Sequence, residues 1–221
     1  MNGLFASIAI FSAFSILLSV GSLITEYFVY ARVELLTPAN FNISKEGYIH
    51  FGLFKGCRLY NYGFGGRKAC FEVWNHITDI ETVYVFYICI ALIAAASLLA
   101  FGSLALAIFN YLTKPKEFIC GHPGVLILNC LHFTVTVAVV ALFIGLFLKR
   151  LRQDILPPED SEFTARKPYL SYSFWLLVMS TFFPLFNVFA LLCTANFRSY
   201  CSISSEKTYK PEADKNKALM F

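Results

Sequence analysis

Charged residues are scarce in this chain, and four long stretches contain none. Only 14% of the 221 residues are Asp, Glu, Lys or Arg, whereas 57% are hydrophobic. The charge-free stretches run from Met1 to Thr25, Thr82 to Thr113, Phe118 to Leu148 and Pro168 to Phe197. Each exceeds the roughly 20 helical residues that cross a bilayer, whose centre disfavours an ionised side chain by at least ~2.5 kcal/mol. An ordinary soluble domain is therefore excluded, and we predict an all-α membrane protein with a bundle of four transmembrane helices.

Motifs that carry catalysis or cofactor binding are missing as well. The sequence has no Gly-rich phosphate loop after a strand, no nucleophile elbow and no Cys/His spacing of the zinc type. The absence of charge inside the spans disfavours an intramembrane proton relay. The net charge of +4 is spread over several loops, so no basic block is dense enough to bind nucleic acid. We expect neither an enzyme nor a nucleic-acid-binding protein, and no cofactor or metal.

The charge-free stretches divide the chain into spans and loops. The predicted spans are 1–25, 83–112, 124–148 and 172–196, and they leave a first loop at 26–82, a short linker at 113–123, a second loop at 149–171 and a tail at 197–221. The first stretch lacks a basic n-region and is too long for a signal peptide, so we expect it to be retained. An even number of spans places both termini on one side of the membrane and the two larger loops on the other.

The first loop carries two features of an extracellular segment. Asn42 begins the sequon Asn42-Ile43-Ser44, which predicts N-glycosylation. Cys57 and Cys70 flank a glycine-rich segment that suits a hairpin, so we predict a disulfide and hence an oxidising compartment. Lys and Arg number eleven in the two larger loops and seven elsewhere. Because cytoplasmic loops usually carry the excess of Lys and Arg, this count does not support placing the two larger loops outside the cell. We nevertheless expect a plasma-membrane protein with both termini cytoplasmic.

The residue pattern of the first loop also predicts strands. Runs at 28–35, 48–53 and 69–74 are rich in aromatic and β-branched residues, which favours a small extracellular antiparallel β-sheet formed by this loop. The second loop mixes basic and acidic residues around Pro157 and Pro158, and we predict a solvated connection there.

Polar residues inside the spans predict packing between helices. Serines recur at three- and four-residue spacing on one face of the first span, at Ser12, Ser15, Ser19 and Ser22. Such small residues allow close helix approach, so this face should point inward. Asn129 and His132 share a face of the third span and are predicted to hydrogen-bond to Asn187 of the fourth span or to the serines. We expect His132 to be a neutral, buried imidazole.

The tail suggests two cytoplasmic contacts. Cys201 follows the last span closely, so its position alone makes it a candidate for palmitoylation. Leu219 and Phe221 match the apolar C-terminal pattern that PDZ domains bind by β-augmentation, which would make a PDZ scaffold a partner. The alternative is an ordinary frayed terminus.

One loop segment resembles a known superfamily. Gly52-Leu53-Phe54-Lys55-Gly56-Cys57 has the form Gly-Leu-aromatic-x-x-Cys, which resembles the motif of the claudin superfamily of four-span membrane proteins. The longer segment from Phe51 to Arg58, together with Tyr172-Ser173-Phe174-Trp175, resembles the clarins.

The resemblance to the clarins implies a role and a set of partners. It implies a non-enzymatic organiser of the plasma membrane, best known from hair cells and photoreceptors and linked to actin-rich protrusions. Membrane lipids and other membrane proteins, or further copies of the chain, are the partners it implies. Two alternatives stay open: a claudin-type junctional barrier or pore, and an auxiliary subunit of an ion channel.

Overall fold

Long helices and short strands make up most of the described chain. The computed structural model describes residues 2–35, 46–61, 65–77, 79–113, 121–152, 155 and 163–215. In chain order the elements are α1 (Asn2–Ile24), β1 (Val29–Leu35), β2 (Glu46–Phe51), β3 (Lys55–Asn61), β4 (Gly66–Glu72), α2 (Val73–His76), α3 (Ile80–Thr113), α4 (His122–Leu146), a π-helical turn (Phe147–Leu151), β5 (Phe163–Leu170) and α5 (Tyr172–Lys215).

Four of these helical segments are long and apolar enough to cross a membrane. They are Gly3–Ile24, Ile80–Thr113, His122–Leu151 and Tyr172–Thr194, with mean hydropathies of 2.1 to 2.5. At ~1.5 Å per residue, even the shortest matches the ~30 Å hydrocarbon core of a bilayer. The predicted bundle of four transmembrane helices is thereby confirmed. The last helix extends beyond the predicted span 172–196, through much of the predicted tail, and ends at Lys215.

The four helices pack in a ring. α1 and α4 each contact both α3 and α5, so α1 and α4 lie diagonally across the bundle. The four serines of α1 that were predicted to face inward, Ser12, Ser15, Ser19 and Ser22, are all buried. Ser15 Oγ donates a hydrogen bond to the carbonyl oxygen of Ser180 in α5 at 2.9 Å. Such an approach to a neighbouring backbone requires a small side chain at the contact.

An antiparallel sheet of five strands covers one end of the bundle, in the order β4-β3-β2-β1-β5. The first four strands pair as sequential neighbours, so the first loop folds as a meander. Gly65, just before β4, has a φ of 110°, which glycine adopts without a steric penalty. The small sheet predicted in the first loop is confirmed.

The second loop supplies the fifth strand, where the sequence predicts only a solvated connection. β5 pairs with β1 from Val29↔Leu170 to Leu35↔Phe163. The register of this pairing shifts near Lys167 and Pro168, and Lys167 has a φ of 46°. Proline has no N–H to donate and is tolerated in sheets at edges and bulges, which is where β5 places it. The proline and the neighbouring charges conceal this strand in the sequence.

The sheet and the bundle share one hydrophobic core. Alternate residues of β1, Val29, Ala31 and Val33, are fully buried in it. Phe28 packs against Phe143 of α4 with ring centroids 5.0 Å apart. Because this core is continuous with the ends of α3, α4 and α5, the sheet is fixed to the bundle by packing as well as by its connections.

Candidate functional site

The motif Gly52-Leu53-Phe54 forms the turn between β2 and β3, against the end of α1. The N–H of Gly52 donates to the carbonyl oxygen of Lys55 at 2.8 Å, which closes the turn. A Cβ atom on Gly52 would lie 2.8 Å from the Cα of Glu26, so only glycine fits this contact. Leu53 is buried in the shared core, and the carbonyl oxygen of Phe54 accepts a hydrogen bond from the N–H of Val73 at 2.9 Å. The motif therefore positions the sheet on the bundle.

The second family element, Tyr172 to Trp175, joins the start of α5 to the end of α1. Ser173 Oγ accepts a hydrogen bond from the N–H of Tyr27 at 3.1 Å, and the N–H of Ser173 donates to the carbonyl oxygen of Tyr27 at 3.2 Å. Phe174 is buried and packs on Phe143 with ring centroids 5.9 Å apart. This element therefore ties the first and last spans together beneath the sheet.

A disulfide joins β3 and β4. Cys57 and Cys70 lie directly opposite each other in the antiparallel register and are bonded, with Cα atoms 4.0 Å apart. Closing a segment with a sequence separation of 13 stabilises the fold by roughly 3 kcal/mol in the chain-entropy model. The disulfide thus secures the edge strand β4, whose side chains are mostly exposed.

The side of the sheet that faces away from the core carries a continuous group of aromatic rings. Tyr30 alternates with buried residues along β1, so its side chain projects to the outer side. Its ring lies 6.0 Å from that of Tyr48 in β2 and 5.3 Å from that of Tyr169 in β5. Ring contacts continue from Tyr48 through His50 and Tyr27 to Tyr172. We call these six rings the aromatic face.

Burial sets the protonation of two members of the aromatic face. Burial, and then the neighbouring Tyr169, raises the pKa of Tyr30, so the Tyr30 hydroxyl stays neutral at physiological pH. Burial also lowers the pKa of His50, against the opposing influence of Glu26. The His50 ring stacks on Tyr27 with centroids 4.0 Å apart. A neutral imidazole is therefore expected in this stack at pH 7.

Cations border the aromatic face where β1 meets β5. Arg32, Arg166 and Lys167, with Tyr169, line a cleft of about 590 Å³ that we call the basic cleft. Arg166 Nη1 pairs with Glu34 Oε1 at 3.2 Å across the two strands. Arginine and tyrosine are enriched where proteins bind each other, because they combine apolar area with directional hydrogen bonding. Together, the aromatic face and the basic cleft have the chemistry of a protein-binding surface.

A second polar group lies inside the bundle. Asn187 Nδ2 donates to Asn129 Oδ1 at 3.0 Å and lies 3.3 Å from Ser12 Oγ, while Asn129 Nδ2 donates to Ser103 Oγ at 2.7 Å. These side chains come from α5, α4, α1 and α3, so one network connects all four spans. His132 is buried one turn from Asn129, but its Nε2 has no hydrogen-bond partner within the described part of the chain. The structure thus brings the two asparagines together and leaves His132 outside the network.

Three potential metal ligands lie close together on the side of the sheet that carries the aromatic face. Side-chain atoms of Glu26, His50 and Cys57 fall within 4.8 Å of one another. The Cys57 sulfur is part of the disulfide, however, and a metal binds the thiolate form. A carboxylate and an imidazole alone are fewer ligands than structural or catalytic zinc sites use.

Several predicted site residues lie outside the described residues. They are the sequon residue Asn42 and the C-terminal Leu219 and Phe221. The backbone of Cys201 belongs to α5, but its side chain is likewise not described. Glycosylation, PDZ binding and palmitoylation therefore stay predictions.

Four apolar helices capped by a disulfide-bonded sheet, with a Gly-Leu-aromatic turn against the first helix, define a multi-pass membrane protein with four spans. One family model, which describes Clarin-2 and Clarin-2-like proteins, matches residues 1–191 of this chain. The chain therefore belongs to the clarin family.

Two curated relatives carry the name Clarin-2. The mouse protein is 27% identical over 141 residues, which cover 61% of this chain and 59% of the relative. The human protein is 25% identical over 141 residues, with the same coverage of both chains. The chain thus spans about 59% of the length of the curated relatives it matches.

Proposed function

We propose that this chain is a non-enzymatic, clarin-type organiser of the plasma membrane, whose sheet binds other membrane proteins or further copies of the chain. The aromatic face and the basic cleft carry this proposal, because they place tyrosines and arginines side by side on a packed support. A surface held by a shared core loses little conformational freedom when a partner binds, which favours affinity.

The proposal places the sheet outside the cell and both termini in the cytoplasm. The Cys57–Cys70 disulfide supports this orientation, because disulfides persist in oxidising compartments. The sequon at Asn42 lies in the same loop. A glycosidase should lower the apparent mass of the wild-type protein on a gel and leave Asn42→Gln unchanged. A cytoplasmic loop would give no shift in either protein.

Lateral mobility in the plasma membrane tests the proposed binding surface. Single-particle tracking of surface-labelled protein should show faster diffusion for Tyr169→Ser and for Arg32→Ser than for wild type, because each removes a contact of the proposed surface. Arg67→Ser is the matched control, since it removes an exposed cation from the opposite edge of the sheet. Equal diffusion of all four proteins would contradict partner binding at this surface.

The cytoplasmic half of the proposal concerns the tail. Leu219 and Phe221 would recruit a PDZ scaffold, Cys201 would add a lipid anchor, and the scaffold would link the membrane to actin in sensory cells. The family resemblance supports the placement in sensory cells. Deleting residues 219–221 should abolish recovery of the scaffold with the protein, whereas unchanged recovery would remove this half of the proposal.

The exposed edge of the sheet favours a second candidate function, a claudin-type barrier or pore. Strand β4 is exposed along almost its whole length and presents Arg67 and Lys68. Cations in this position would disfavour the passage of small cations between cells. Expression in an epithelial monolayer should then change junctional ion selectivity, and Arg67→Ser should reverse the change. An unaltered junction would exclude this alternative.

A further inference from the structure

A groove lies between α3 and α4 at the same end of the bundle as the sheet. It has a volume of about 560 Å³, within the ~300–1,000 Å³ typical of small-molecule sites. Its apolar part is formed by Val85 of α3 and by Ala141, Leu142 and Leu146 of α4. We call it the α3–α4 groove.

Charged residues of both signs close one end of this groove. Asp79 and Glu81 lie at the start of α3, and Lys149 and Arg150 lie in the π-helical turn that follows α4. These residues lie at or just beyond the ends of the charge-free spans, where hydrocarbon gives way to lipid head groups. The α3–α4 groove therefore runs from the head-group region into the hydrocarbon layer.

Asp79 holds its charge, and the ion pairs that Arg150 makes with Asp79 and Glu81 are open to solvent. Asp79 accepts hydrogen bonds from the hydroxyl of Thr82 at 2.7 Å and from its N–H at 3.3 Å, and these bonds lower the pKa of Asp79. Arg150 lies 3.5 Å from Glu81 and 4.0 Å from Asp79, with half of its side chain exposed. Exposed pairs of this kind contribute little, so a ligand can insert between them at small cost.

Gly145 keeps the groove open. A Cβ atom placed on Gly145 would meet no atom within 4 Å, although this residue lines the groove between the apolar part and the charged end. The π-helical turn that follows presents Lys149 and Arg150, and such turns are frequent at functional sites. A larger residue at position 145 would occupy the groove without displacing the core.

We propose that the α3–α4 groove binds a phospholipid whose head group combines a phosphate with a primary ammonium, as in phosphatidylethanolamine. The phosphate would contact Lys149 and Arg150, the ammonium would donate hydrogen bonds to Asp79 and Glu81, and an acyl chain would lie along the apolar part. A choline head group cannot donate these hydrogen bonds, and an anionic head group that lacks an ammonium would pair with the two cations but bring no charge to the two carboxylates. Charge complementarity thus selects this lipid among those of the bilayer.

Native mass spectrometry of the full-length protein tests the proposal. The purified protein would be titrated separately with phosphatidylethanolamine, phosphatidylcholine and phosphatidylglycerol that carry the same acyl chains. Wild type should retain phosphatidylethanolamine most tightly. Gly145→Leu should weaken its retention by more than about tenfold, because each lost methylene contact lowers affinity about fourfold. Gly21→Leu is the matched control, since position 21 of α1 also has no atom within 4 Å of the added Cβ and lies outside the groove.

A charge variant keeps the test decisive if the groove-filling variant does not fold. Glu81→Gln removes an exposed carboxylate and should lower the preference for phosphatidylethanolamine over phosphatidylglycerol by up to about fivefold. The proposal is overturned by equal retention in wild type and Gly145→Leu, by equal binding of the choline lipid, or by an unchanged preference in Glu81→Gln. None of these readouts depends on the aromatic face or the basic cleft. A failure of lipid binding can therefore be distinguished from a failure of the proposed function.

Discussion

Gly52→Ala should destabilise the protein although it adds a single methyl group. The new Cβ would lie 2.8 Å from Glu26 Cα and 3.2 Å from the carbonyl carbon of Thr25. Both neighbours are backbone atoms at the end of α1, so neither can rotate away. Overpacking of this kind typically costs about 1–3 kcal/mol. Gly52 does not have a left-handed φ, so the expected loss is steric and not conformational.

The unfolding temperature would be measured in detergent, with the fluorescence of the two tryptophans as the signal of unfolding. A loss of about 2 kcal/mol should lower Tm by about 4–8 °C in a chain of this size. Gly21→Ala is the matched control: it has no atom within 4 Å of the added Cβ, and alanine favours a helix over glycine by up to ~1 kcal/mol. Its Tm should equal or exceed that of wild type. If both variants lose stability equally, the close contact at Gly52 does not explain the motif.

Three further predictions follow from contacts in the sheet and the bundle. Replacing Cys57 and Cys70 by serine should cost about 3 kcal/mol, and dithiothreitol should lower the Tm of wild type but not that of the variant. A double-mutant cycle of Asn129→Leu and Asn187→Leu should give a coupling of about 0.6–2 kcal/mol, and zero coupling would show that their 3.0 Å hydrogen bond adds no stability. Burial lowers the pKa of His50 from 6.5, so the native state binds fewer protons than the unfolded chain below that pH. Stability should therefore fall as the pH drops through about 6.5, and His50→Phe should flatten this dependence.

The spans were predictable because one strong physical rule governs them. Ionised side chains are disfavoured in hydrocarbon, and their absence alone located four helices. The serine spacing in α1 likewise predicted its buried face, because residues three and four positions apart lie on the same side of a helix. In the first loop, the cysteines and glycines indicated a hairpin before the register of β3 and β4 was known.

The aromatic face could not be predicted, because it depends on which strands pair. Tyr30 and Tyr169 are distant in sequence and meet only through the β1–β5 register. Pro168 and the adjacent charges argue against a strand on local grounds, and pairing with β1 outweighs them. The alternation of Tyr30 and Arg32 with apolar residues was a usable indication that one face of β1 is solvent-facing. The role of Gly52 was also hidden, since close backbone approach leaves no trace in periodicity.

The participation of both loops in one sheet changes what a binding partner would contact. The basic cleft takes Arg32 from the first loop and Arg166 from the second, and the Glu34–Arg166 pair joins the two strands. Beneath it, Ser173 hydrogen-bonds Tyr27 and so connects the last span to the first. A partner bound at the basic cleft would therefore engage segments attached to all four spans. Binding there would restrain the bundle as a unit, which would suit the proposed role as a membrane organiser.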